Sequence, residues 1–255
     1  MRTYLNGSIK NGNIMRWSMN PLVVYIAPMK FYSKQGEDAK FRKMVIDALN
    51  TWSAASGGKI TFRITNVLLE SNINVDWKRV DRQALGHCYF NWDPQGRLYG
   101  AEVSIGLTDG KIHKQYDNDL EVYHTILHEI GHALGLGHSP YKEDIMYTPH
   151  QYGNASLSAN DKHSIQWLYC LPAGASVQKI ASKYSMSTNT DIDSVIRKID
   201  SKKEPIETQD KQPAETRDLL KEATNIGDLK RYNMLLQNIS LSQNVKNYIK
   251  NNRNS

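Results

Sequence analysis

His128-Glu129-Ile130-Gly131-His132-Ala133-Leu134-Gly135-Leu136-Gly137-His138 is the stretch on which the reading of this chain turns. On an α-helix, residues four apart stand one turn apart on one face, so His128 and His132 present two imidazoles side by side. Two imidazoles so placed can bind one Zn²⁺, and Glu129 lies beside them as a general base. Gly135 follows His132 where a helix can close in a left-handed residue at no steric cost. The chain can then reverse and return His138 as a third ligand. Three protein ligands leave a fourth position for water, the arrangement of a catalytic zinc site and not of a structural one.

Asp144-Ile145-Met146-Tyr147 follows downstream, and the extended histidine motif with a methionine at such a distance is similar to that of the metzincin peptidases. Within that group the chain resembles the matrixin family, to which the matrix metalloproteinases belong. Ser139 directly follows His138 and Tyr147 directly follows Met146. Leu157-Ser158-Ala159-Asn160-Asp161, with Ile165-Gln166-Trp167-Leu168-Tyr169, is similar to the last matrixin helix. Arg16-Trp17 and Pro21-Leu22-Val23-Val24-Tyr25-Ile26 are similar to the first strand. The resemblance covers residues 13–171 and leans toward bacterial matrixin-like proteins. It implies an α+β fold, a metzincin-like catalytic domain with a five-stranded mixed sheet and three helices, to which the spacing of the residues beyond 171 adds a helical C-terminal tail. It also implies a zinc-dependent endopeptidase with one catalytic Zn²⁺ on His128, His132 and His138, and with Glu129 as the catalytic base. Met146 would form an apolar floor under the three histidines. The substrate would be an extended protein or peptide segment, laid antiparallel to the sheet edge near residues 85–91.

The chain also departs from the family. The His-x-Asp pattern of the second zinc and the calcium sites of animal matrixins is absent. Leu85-Gly86-His87-Cys88-Tyr89-Phe90 and Ala101-Glu102-Val103-Ser104 stand in its place. Glu102 and Asp109 could offer oxygens to Ca²⁺, but lone carboxylates are ordinarily solvated surface. The wall segment after Met146 is longer than usual, so the shape of the side-chain pocket does not carry over. His124 lies one turn before His128. As a fourth ligand it would close the site to water, so a packing or hydrogen-bonding role behind the site is expected. His150 is near enough in sequence to line the cleft.

Size and charge set the remaining bounds. A chain of 255 residues suits one or two domains. With 32 Lys+Arg against 26 Asp+Glu, the net charge of +6 is that of a solvated surface. No basic cluster interleaved with aromatics points to nucleic acid. No apolar run is long enough for a transmembrane segment. The residues from Met1 to Gly7 have no apolar core of a signal peptide. The resemblance nevertheless favours a secreted or cell-envelope location, with the cytoplasm left open. The two cysteines, Cys88 and Cys170, can either pair or remain thiols. A monomer is expected.

The periodicities predict strands at 21–27, 59–65, 73–77, 85–91 and 102–107, a first helix over 37–55, the site helix over 118–135 and a closing helix over 159–170 with Ser158 as N-cap. Leu171-Pro172-Ala173-Gly174 ends the predicted catalytic domain, 1–171. Residues 172–255 read as a weakly helical stretch (175–199), a polar linker (202–215) and further helical spacing (219–249), with no chemistry of their own. Two other functions stand beside the endopeptidase: a zinc-containing peptide-binding module without turnover, which Glu129 argues against, and a non-peptidase zinc hydrolase.

Overall fold

The computed structural model describes residues 1–29, 36–80, 84–107, 116 and 118–202. Asp109, and the linker and second helical stretch expected beyond residue 202, lie outside these residues. In chain order the elements begin with a hairpin of β1 (Ile9–Lys10) and β2 (Asn13–Ile14), followed by β3 (Arg16–Trp17), β4 (Leu22–Ile26), helix α1 (Glu37–Ala55), β5 (Phe62–Thr65), β6 (Ile73–Arg79), β7 (Gly86–Trp92) and β8 (Arg97–Leu107). Four helices follow: α2 (Asp119–Ala133), α3 (Ala159–Cys170), α4 (Val177–Lys183) and α5 (Ile192–Lys202).

All five expected strands and all three expected helices are present. β5, β4, β6 and β8 lie side by side and parallel, and β7 adds antiparallel to β8. β8 is buried along most of its length because it is an inner strand of the sheet. Only its partner β8 pairs with β7 among the described residues. The sheet gains a sixth member that periodicity does not reveal, the two-residue β3, parallel to the first residues of β8. A run of two residues has no period to read.

Helix α1 buries Phe41, Val45, Ala48, Leu49 and Trp52, the apolar stripe expected from its spacing. The indole of Trp52 donates to the Leu127 carbonyl of α2 at 3.0 Å, which docks the site helix on α1. Ser158 caps α3 as expected, in a full capping box with Asp161. Cys88 and Cys170 are both free thiols.

Residues 172–202 share the core of the residues before them. Val177, Ala181, Ile192, Val195, Ile196 and Ile199 join the same buried cluster as Leu5 and Trp17. Gly174 and Val177 donate backbone bonds to Ile14 and Gly12, and Ile14 donates to Ala175, each at 2.9 Å. The Asp193 carboxylate at the start of α5 accepts from Thr3 Oγ1 at 2.6 Å, from the Leu5 amide at 2.8 Å and from the Asn6 amide at 3.3 Å. A buried donor that loses its acceptor retains the cost of desolvation. Asp193→Ala is therefore expected to lower stability by about 1–3 kcal/mol. The check is the urea midpoint, which should fall with the m-value unchanged.

Candidate metal centre

Helix α2 carries His124, His128, Glu129 and His132 in succession, and its C-terminus is built to turn. Gly135 adopts φ +100°. The Leu136 amide donates to Gly131 O at 3.0 Å and the Gly135 amide to His132 O at 2.9 Å, the pair of bonds that defines a Schellman motif. The site of a Cβ on Gly135 lies 2.6 Å from Met15 O, so space as well as backbone angle demands glycine. The turn brings His138 back over α2.

The result is a cluster of three imidazoles. One ligand-capable atom from each of His128, His132 and His138 lies within 4.8 Å of the others. His132 Nε2 stands 3.1 Å from His128 Nε2 and 3.2 Å from His138 Nε2. Two of the rings are oriented from behind. His128 Nδ1 meets Ile145 O and His132 Nδ1 meets Leu136 O, both at 2.8 Å. A carbonyl only accepts, so each Nδ1 carries the hydrogen and each neutral ring turns a bare Nε2 lone pair inward. Lone pairs facing one another at such distances repel unless a cation lies between them. Tetrahedral Zn–N bonds of about 2.0–2.1 Å would set neighbouring nitrogens about 3.3 Å apart, so the donor set fits zinc in identity, number and spacing.

Beneath the cluster, a Cβ on Gly131 would lie 2.3 Å from Met146 Sδ. Met146 thus packs against the bare backbone of α2 and is the apolar floor that the sequence suggests. Two buried carboxylates hold this layer. Asp161 accepts from the Tyr4 hydroxyl at 2.6 Å and, through its other oxygen, from the amides of Ile145 and Ser158 at 2.8 Å. Asp144, fully buried, accepts from Ser139 Oγ at 2.5 Å, Ser158 Oγ at 2.6 Å and Asn160 Nδ2 at 3.3 Å. Asp161 therefore fixes the residue whose carbonyl orients His128, and Asp144 fixes the residue next to His138. Sequence reasoning assigned neither carboxylate a role. The Leu-Ser-x-x-Asp pattern around Ser158 was the available signal for Asp161; Asp144 had none.

Glu129 is buried beside the cluster, against the edge strand. A Cβ on Gly86 of β7 would meet Glu129 Cγ at 2.7 Å and Oε1 at 2.8 Å. Burial raises its carboxyl to about 8, against a downward pull from Lys78. Burial also lowers His128 to about 3 and His132 to about 4, with neighbouring imidazoles adding to the effect. The site thus offers neutral imidazoles and a carboxyl that a cation would help to ionise. His124 stands outside the cluster, its ring stacked 6.5 Å from that of His128. His150 lies behind it, 4.0 Å from His124 between centroids.

A profile of the matrixin family matches residues 16–170. The chain belongs to the matrixin family. It is 29% identical to stromelysin-3 of Xenopus laevis over 172 residues, which covers 62% of this chain and 33% of that protein. It is 28% identical to matrix metalloproteinase-2 of Drosophila melanogaster over 144 residues, covering 51% and 18%. A shorter match, 49% over 49 residues, links it to macrophage metalloelastase of Rattus norvegicus and covers 18% and 10%. The chain thus spans a third or less of the length of these relatives. They are animal proteins and lend no support to the bacterial leaning. Matrixins use a catalytic zinc, in keeping with the donor set described above.

The lowered imidazoles carry a sign that can be tested in the metal-free protein. In the unfolded chain a histidine takes up a proton near pH 6.5, whereas His124, His128 and His132 in the fold resist until about pH 4, 3 and 4. Their stabilising contribution is present above pH 6.5 and is lost as pH falls toward those values. Glu129 works in the opposite direction between pH 8 and 4.5, because its folded carboxyl already holds the proton. His138 and His150 are lowered by burial as well, so the imidazoles outweigh Glu129 and the net effect is a loss of stability as pH falls below 6.5. Urea midpoints of the chelated protein from pH 7 to 4.5 should fall accordingly; a flat profile would contradict the burial of these rings.

Proposed function

We propose that the chain is a zinc-dependent endopeptidase whose metal ligands are His128, His132 and His138 and whose general base is Glu129. The observation that carries this reading is the convergence of three Nε2 atoms, those of His128 and His132 left bare by their Nδ1 bonds, beside a buried carboxyl group that faces the sheet edge. When bound, zinc lowers the pKa of water toward about 7 and polarises a carbonyl. Glu129 takes a proton from the attacking water and delivers it to the leaving amine, so that base and acid are one group used twice. Its burial favours this role, because a carboxyl raised toward neutrality both accepts and gives up a proton readily. The carbonyls of Ile145 and Leu136 keep the imidazoles in one tautomer through the cycle.

The substrate would be an extended peptide that adds antiparallel to β7, along the edge with which no described strand pairs. Main-chain bonds would give affinity, and side-chain contacts beyond Met146 the preference. Gly86 supports this path, since any side chain there would press the catalytic carboxylate out of place. We assign the catalytic machinery to residues 1–171; α4 and α5, which follow it, brace the N-terminal segment. A monomer acting outside the cytoplasm is the reading consistent with the family. No described helix is long and apolar enough to cross a membrane.

Digestion of a peptide library with and without chelator tests the activity. Cleavage that is lost on chelation and restored by zinc supports the proposal; a fully loaded protein that cuts no member of the library defeats it. Glu129→Gln should retain zinc and fold while turnover drops by about 10²–10⁴. His132→Ala should instead lose the metal, read directly by elemental analysis.

A further inference from the structure

The third imidazole of the cluster is held differently from the other two. His128 and His132 are each fixed from behind by a carbonyl, whereas Nδ1 of His138 meets no acceptor among the described residues. His138 is also the exposed member of the three. Its place therefore depends on the backbone that carries it. On one side, Ser139 is tied to Asp144. On the other, Gly137 lies against Gly7, where a Cβ on Gly7 would stand 2.9 Å from Gly137 Cα. Two bare backbones have no side chains with which to grip each other. The contact lasts only while the segment that carries Gly7 is itself held.

A carboxylate from far along the chain holds that segment. Asp193 stands in the first turn of α5, beyond residue 170 where the family match ends, and it is buried. Both its oxygens face residues 3–6. Oδ1 accepts from Thr3 Oγ1 and from the Leu5 amide, and Oδ2 accepts from the Asn6 amide. Leu5–Ser8 is a single 3₁₀ turn, so fixing its first two amides fixes the direction in which the chain reaches Gly7. The same segment meets the histidine loop a second time, because the Arg2 guanidinium lies 5.4 Å from the centroid of the Tyr141 ring. Residues on both sides of His138 thus touch a segment whose anchor is Asp193.

We propose that Asp193 is a positioning residue of the metal centre: by holding residues 3–6 it keeps Gly7 against Gly137 and so sets the third ligand, which makes zinc retention depend on the docking of α5. The proposal rests on the ligand set of His128, His132 and His138 and is independent of turnover. Removing groups that orient metal ligands from outside the ligand set commonly weakens metal affinity by about 10–100-fold. The coupling is reciprocal, so zinc must strengthen the docking by the same factor by which docking strengthens zinc.

The test measures zinc affinity of the full chain at neutral pH by competition with a chromogenic chelator. Asp193→Ala and Gly7→Ala should each weaken zinc binding by about tenfold or more. Val24→Ala truncates the core in β4, between β5 and β6, and should lower the urea midpoint with zinc affinity unchanged. Because Asp193→Ala can fail to fold, the unmutated protein is followed as well. Hydrogen exchange at the Leu5 and Asn6 amides, which donate to Asp193, should slow by about tenfold on adding zinc, while the amides of the edge strand β5 keep their rate. Wild-type affinity in either variant, an equal loss in Val24→Ala, or exchange at Leu5 and Asn6 that ignores zinc overturns the coupling and leaves the ligand set standing. An unmutated chain that binds no zinc defeats the ligand set and the coupling together.

Discussion

The reversal of the chain at the end of α2 is the constraint on which the centre depends. A helix alone can offer two imidazoles on one face; the third must come from a segment that returns over the same turn. The Schellman bonds of Gly135 and Leu136 make that return, and groups from remote segments hold it. The Trp17 indole donates to Ala133 O at 2.8 Å and the Tyr169 hydroxyl to Leu134 O at 3.0 Å, so two carbonyls that the ending helix leaves over are satisfied from β3 and α3. On the far side, the backbones of Gly7 and Gly137 pass so closely that a Cβ on Gly137 would lie 2.7 Å from Gly7 Cα. The position of His138 is thus set by backbone packing on several sides, and very little freedom is left in the loop that carries it.

A second layer converts this geometry into chemistry. Neither Asp144 nor Asp161 belongs to the imidazole cluster. Each instead orders a stretch of backbone, one beside His138 and one at the carbonyl that orients His128. Such groups act through the ring tautomer: with Nδ1 committed to a carbonyl, Nε2 has no role other than acceptor. Preorganisation of this kind means that the lone pairs of His128 and His132 are already pointed inward, at a cost met by the packing of the whole domain and not by ligand binding.

The two sides of the same helix turn carry different chemistry. Toward the sheet, Glu129 rests against Gly86, and the lack of a side chain on that strand leaves room for the carboxylate. Along the helix, the His124 and His150 rings pack together, and His150 is backed by Glu121. The first arrangement is what a proton shuttle needs, and the second surrounds the turn before His128 with buried polar groups.

Features with a local cause were legible in the sequence: the His128–His132 pair from the helical period, the turn at Gly135 from its steric freedom, the cap at Ser158 from its competition for helix amides, and the five strands from β-branched runs, alternation and flanking turn residues. Each depends on residues within a few positions of one another, so spacing carries the signal. Other features join distant segments and leave no spacing to read. The Tyr4–Asp161 bond spans 157 residues and the Thr3–Asp193 bond 190. The two-residue strand β3 exists only because β8 offers an edge. The sequence by itself determined which chemistry the chain could carry, because ligand type, base and turn are written within eleven residues. Only the tertiary structure decided how the centre is held: the docking of α4 and α5 onto the N-terminal segment and the carboxylates behind the histidine loop both arise from the satisfaction of buried polar groups between elements far apart in the chain.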